Sequence, residues 1–166
     1  MNKQNSETSE VWIAKHQICE LQRLYAKATD LLCLNTSASV AEATAIYHQI
    51  FTPQAEIKAT GMDPKYGPDA WVALVLEALD EFSTTQHMIG TQLAEVQEFP
   101  VGGEGPGQGT LFSHLQAWHA KADGDMWHYI GIYESAVVYT AESGWQIEVM
   151  NLISVSEDYR KIFPRP

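Results

Sequence analysis

Basic residues are scarce in this chain of 166: ten Lys and Arg stand against 21 Asp and Glu, for a formal net charge of −11. The nearest approach to a basic cluster is Arg160-Lys161 with Arg165. A phosphate backbone would be repelled by most of such a surface, so neither nucleic acid nor an anionic membrane is an expected partner. The charge reads as solubility. Cysteine is scarcer still. Cys19 and Cys33 lie 14 positions apart in what reads as one helix. A rise of 1.5 Å per residue then separates them by about 21 Å, whereas a disulfide needs Cα atoms within about 7 Å. Both are expected to be reduced thiols, and neither has the flanking pattern of a metal or redox motif. Long apolar runs are missing: nothing approaches the ~18 residues of a membrane span, and polar Met1 to Glu10 lacks a signal-peptide core. The expected location is the cytoplasm. Charged residues total 19% against 45% hydrophobic, which provides a core and excludes a disordered chain. With no repeat and no linker, 1–166 reads as a single domain with polar tails at 1–10 and 156–166.

Periodicity supplies the elements. Trp12, Ile13, Ile18, Leu21, Leu24, Ala28, Leu31 and Leu32 recur at helical spacing and predict a long first helix ending near Leu34-Asn35. Ser39-Val40-Ala41-Glu42 reads as a capping box opening a second helix, with Ala43, Ile46, Tyr47 and Ile50 inward and Thr52-Pro53 as its stop. Ala55 to Thr60 is a short strand candidate, and Gly61 to Gly67 a loop. Pro68 suits the first position of a third helix whose inward stripe is Trp71, Leu74, Val75, Ala78, Leu79 and Phe82. From Gln86 the pattern turns extended, with strands expected near 86–98, 110–122, 127–140 and 144–155. The connectors are turn-forming: Pro100 to Gly109, Asp123-Gly124-Asp125 and Glu142-Ser143-Gly144. The glycine-rich 102–109 lacks the Lys-Ser/Thr of a phosphate-binding loop and opens no helix.

Helices grouped ahead of consecutive strands indicate an α+β fold. A strongly curved sheet cannot fill its own concave side, so helices must cross the opening and leave a pocket. At this point the chain resembles the SnoaL-like, or nuclear-transport-factor-like, superfamily over about 11–155. The element order matches, and so does the start of the last strand, Gly144-Trp145-Gln146-Ile147. The resemblance implies a cone-shaped α+β barrel, with three N-terminal helices packed on a mixed or antiparallel sheet around an apolar pocket. It also implies homo-oligomers, dimers or trimers, formed through the outer sheet face.

Two segments carry the chemistry. Leu24-Tyr25-Ala26-Lys27-Ala28-Thr29-Asp30 is similar to the bile-acid 7α-dehydratase, whose matching Tyr and Asp belong to the active site. Thr85-Gln86-His87-Met88-Ile89-Gly90 looks like the Gln-His-Phe-Ile-Gly segment of scytalone dehydratase, where the histidine is the base. The resemblance implies Tyr25, Asp30 and His87 as catalytic residues. A looser match adds His119 and Ser135 to the pocket. Tyr129 and Tyr133, alternating along one face with Gly131 allowing close approach, extend the expected lining, and Tyr66 completes it. Histidine suits proton abstraction near neutral pH, a carboxylate on its other nitrogen would fix the tautomer, and a phenol could donate to a developing oxyanion. Such chemistry calls for no cofactor. No metal is expected either: His114 and His119, five apart on a strand, alternate to opposite faces.

The residues alone leave other readings open. Tyr25 could be a core tyrosine, Asp30 a solvated helix-end carboxylate and His87 a structural histidine. Five residues at 100° each also place Tyr25 and Asp30 about 140° apart around a helix, so they share no face. The expected function is a cofactor-free lyase of the dehydratase type, acting on a small hydrophobic ring compound such as a steroid or an aromatic or polyketide alcohol. The alternatives are a ketosteroid-type isomerase using the same residues, and a non-catalytic module of the ligand-binding or oxygenase-β-subunit kind.

Overall fold

The computed structural model describes residues 9–99 and 105–161. Positions 1–8, 100–104 and 162–166, which hold most of the expected N-terminal tail, the start of the glycine-rich connector and Arg165, lie outside the described residues. The chain runs through α1 (Ser9–Cys33), α2 (Ser37–Ile50), β1 (Phe51–Ala59), β2 (Lys65–Tyr66), α3 (Pro68–Leu79), β3 (Thr84–Glu98), β4 (Gly107–Ala120), β5 (Asp125–Thr140) and β6 (Gly144–Lys161). The sheet order is β2-β1-β6-β5-β4-β3. Among the described residues only β1 and β6 pair in parallel, so the sheet is mixed. It is strongly curved but open, with β2 and β3 as separate edges. The cone is closed by helices and not by strand pairing. Among the described residues no helix is long and apolar enough to cross a membrane.

Local chemistry explains most element ends. The cap of α2 lies three residues before the expected box: Thr36 is the N-cap and Ser39 stands at the third helical position. The Ser39 N–H donates to Thr36 Oγ1 and the Thr36 N–H to Ser39 Oγ, each at 3.1 Å. A serine thus does what Glu was expected to do, and Glu42 instead pairs with Lys27 at 2.9 Å. Asn35, with φ of 47°, turns the chain out of α1. Pro53 does not merely stop α2. It sits inside β1 where the register with β6 slips between Phe51 and Glu56, one of the few sheet positions that needs no N–H.

The largest departure is at the C-terminal end. Positions 156–161, expected as tail, continue β6 along the full length of β5, to Asp125↔Lys161. Beyond Leu152 this strand has no β1 partner. It is an edge there, which explains its polar sequence.

The core lies between the helices and the inner sheet face. The α1 stripe buries Ala14, Ile18, Leu21, Tyr25, Ala28 and Leu32, while Trp12 and Ile13, expected on it, stand exposed. Tyr25, Tyr47, Phe51 and Tyr133 form a ring cluster joining α1, α2, β1 and β5, with Tyr25 at 5.4 Å from both Tyr47 and Tyr133. Each such pair contributes about 0.5–1.5 kcal/mol beyond its area burial. Cys19 and Cys33 are free thiols.

Candidate active site

Strand alternation directs Thr85, His87 and Ile89 of β3 toward the helices and Gln86 and Met88 away. His87 pairs across the sheet with Ala117, and His119 with Thr85. The two imidazoles are therefore diagonal neighbours on one face, 5.2 Å apart and nearly perpendicular. Ala117, fully buried, is small enough to leave space beside them.

Asp30 reaches His87 from the last turn of α1. A carboxylate there opposes the helix dipole, so something must offset it. His87 does so twice. Its backbone N–H donates to both carboxylate oxygens, at 3.0 and 3.2 Å. Its Nδ1 lies 2.8 Å from Oδ1. An ionised carboxylate only accepts, so Nδ1 carries a proton, and in the neutral tautomer Nε2 holds the lone pair. The His87 side chain is only 7% exposed and that of Asp30 31%, so the contact is largely shielded from water.

Tyr25 is buried, and its hydroxyl accepts a bond from the Trp71 indole N–H at 3.1 Å. Burial pushes the phenol up to about 12, while the Trp71 bond acts in the opposite direction. Tyr25 is thus a neutral phenol whose oxygen is held by the indole behind it. Thr29 steadies this turn, bonding the Tyr25 carbonyl at 2.9 Å and the Tyr47 hydroxyl at 2.7 Å. His119 packs on Phe82 and Trp127 as well as on His87. Burial, with the His87 ring adding to it, lowers its pKa to about 3, so it is a neutral imidazole at ordinary pH.

Tyr25, His87, His119, Tyr129 and Tyr133 line a cavity of about 250 Å³, with Leu74, Val75 and Leu79 of α3 as its opposite wall. The lining is mainly apolar with a few convergent polar groups, the usual character of a small-molecule site. Asp30 does not line it. As the helical angles require, its carboxylate stands in an outer groove with Arg23, Lys27 and Thr85, and His87 borders both spaces. Two of the three expected catalytic side chains therefore face the cavity, and the third touches it only by way of its bond to the imidazole.

Two expected lining residues lie elsewhere. Ser135 is buried on the inner face of β5, two residues beyond Tyr133, and does not line the cavity. Tyr66 lies on the short edge strand β2, paired with Glu56 and 59% exposed. Gly131 does not make room for a ligand. A Cβ there would meet the Tyr129 ring at 2.7 Å, so the space is taken by Tyr129. Sequence reading missed three contributors. Trp71 appears in the sequence only as one more apolar position of α3. Trp127 reads as an aromatic without a face. Glu157, on the cavity rim, falls in what reads as tail. The β5–β6 register shifts between Gly131 and Ile130, and this extra residue turns Glu157 to the inner face, whereas unbroken alternation from Ile153 would place it outside.

Comparisons with known proteins agree on the architecture. The family model described as a SnoaL-like domain matches residues 13–151. No curated protein matches significantly. Among solved structures, a protein from Kribbella flavida is 24% identical, with TM-score 0.71, covering 89% of this chain and 94% of that one. A scytalone dehydratase-like protein from Novosphingobium aromaticivorans is 14% identical, with TM-score 0.70 and 93% of each chain covered. The hexachlorocyclohexane dehydrochlorinase LinA-type3 from Novosphingobium barchaimii is 12% identical, with TM-score 0.72, covering 95% and 100%. At these identities the structural likeness speaks for fold, whereas the family model spans most of the sequence. On that ground the chain belongs to the SnoaL-like domain family.

Proposed function

We propose that this protein is a cofactor-free acid–base lyase that eliminates water from a small hydrophobic ring alcohol. The observation that carries the reading is the Asp30–His87 pair, bonded through Nδ1, with His87 lining an apolar cavity that it shares with the Tyr25 phenol. His87 Nε2 takes the proton from an acidic C–H, and its electron pair becomes the new C=C bond. The leaving hydroxyl departs with that proton as water. Asp30 stabilises the imidazolium while it exists. Tyr25 donates to a carbonyl oxygen on the ring as negative charge gathers there. Two structural neighbours, a scytalone dehydratase-like protein and a hexachlorocyclohexane dehydrochlorinase, bear names of elimination enzymes, which supports this class of reaction.

The same residues would serve an isomerase, in which His87 returns the proton to a different carbon. The product separates the two: dehydration loses one water and isomerisation loses nothing. The test is a screen of hydroxylated monocyclic and bicyclic ketones, read by product mass, with wild-type protein and His87→Ala. The expected result is water loss that disappears in the variant while the far-ultraviolet spectrum stays unchanged. Turnover unaffected by His87→Ala removes His87 from the mechanism. No turnover of any compound, with tight binding retained, favours a ligand carrier. A homo-oligomer formed through the outer sheet face is part of this proposal, supported by Met88, Ile130 and Ile153, exposed on that face.

A further inference from the structure

The cavity has a second polar end. His87 pairs with Ala117, Ala117 with Tyr129, and Tyr129 with Glu157. One cross-sheet row thus carries the imidazole at one end and a carboxylate at the other, three strand spacings or about 14 Å apart along the sheet. Alanine and the flat Tyr129 ring form the floor between them.

Glu157 is the only lining residue that carries a full charge, among the described residues. It is exposed, as are Thr60 and Met62 beside it, so the cavity meets solvent here. The carboxylate is held in place. Ser154 Oγ donates to Glu157 Oε1 at 3.0 Å. The Ser154 N–H is in turn fixed by Thr60 Oγ1 at 3.0 Å. Thr60 is further tied to the Leu152 carbonyl through its own N–H at 2.9 Å. No Lys or Arg lines the cavity to counter this charge, among the described residues.

We infer that Glu157 is a specificity-determining residue. It selects ring compounds bearing a hydrogen-bond donor, a hydroxyl or an ammonium group, at the end remote from His87, and turns away carboxylates and phosphate-bearing carriers. The inference rests on the cavity being the substrate site and not on the reaction performed there. Position supplies the discrimination: at about 4 Å, even with full water screening, a charge is favoured or disfavoured by about fivefold, and more as the site closes on it.

Three probes of one shape test it: adamantan-1-ol, adamantane-1-carboxylate and 1-adamantylammonium, titrated calorimetrically at neutral pH and low salt. Wild-type protein is expected to bind the ammonium about fivefold or more tighter than the alcohol, and the carboxylate weaker by a similar factor. Glu157→Gln should bring the ammonium and the carboxylate toward the alcohol, and Glu157→Lys should reverse the order. Glu142→Gln, in the turn before β6, changes net charge equally and should leave the ratios alone. Ratios identical in wild type and Glu157→Gln overturn the inference, as does a wild type that favours the carboxylate. His87→Ala should keep the ratios, so loss of turnover and loss of selectivity are separable. Failure of all three probes to bind would overturn both this inference and the cavity as a ring-binding site.

Discussion

Asp30 occupies a helix end that disfavours carboxylates, and it makes all its observed bonds to one residue, His87. That pairing costs α1 something and gives His87 a defined tautomer. Asp30→Asn keeps the shape but can offer an NH₂ to Nδ1, which moves the proton to Nε2 and removes the lone pair from the cavity. The expected outcome is a kcat lower by about 10²–10⁴ with KM little changed, read by steady-state kinetics on whichever ring alcohol the screen identifies. His119 makes a separate prediction. Its folded pKa, about 3, lies below the unfolded value of about 6.5. Between those values the unfolded chain binds the extra proton, so stability falls as pH drops through that window and is flat above it. His119→Phe should remove up to about 1.4 kcal/mol per pH unit of that slope, seen by urea unfolding between pH 6.5 and 4. An unchanged slope would mean His119 is not buried neutral.

At the scale of elements, helical and strand periodicities were legible because each face meets a single environment. The α1 stripe from Ala14 to Leu32 and the alternation of Tyr129, Tyr133 and Val137 follow directly from burial. What was not legible depends on partners far along the chain. The outer half of β6 carries charges suited to an edge, and only its pairing with β5 makes it a strand. The Tyr25–Trp71 bond joins residues 46 apart, and no spacing announces it. The three candidate residues were picked out by the family motifs, and the helix angles already set Asp30 on a different face from Tyr25; that His87 would border both spaces was not legible. Ser135 shares the inner face with Tyr133, yet alternation says nothing about how far along a strand a pocket extends. Gly131 offers a test at this scale. Gly131→Ala forces the Tyr129 ring off its position, since the added Cβ also meets the Ile153 carbonyl at 3.0 Å. The expected cost is about 1–3 kcal/mol in urea unfolding, together with weaker binding of adamantan-1-ol as the ring moves into the cavity. Unchanged stability and binding would mean that the Tyr129 ring does not rest on Gly131.

For the whole molecule, an open curved sheet leaves two surfaces to cover. Helices cover the inner one, and the cavity is what they leave unfilled. The outer one keeps rows such as Met88–Gln116–Ile130 and His114–Ile132–Ile153. Ile153→Glu should convert an oligomer to a monomer in light scattering behind a sizing column; a wild type that is already monomeric excludes assembly through this face. The central claim is narrower: Asp30 holds His87 so that an unprotonated Nε2 points into the cavity. Nitrogen-15 NMR of labelled histidines reads this directly. The account predicts that His87 is the Nδ1–H tautomer at neutral pH and that its Nε2 signal moves when adamantan-1-ol binds. An Nε2–H tautomer, or an Nε2 signal unmoved by a bound ring compound, would contradict it.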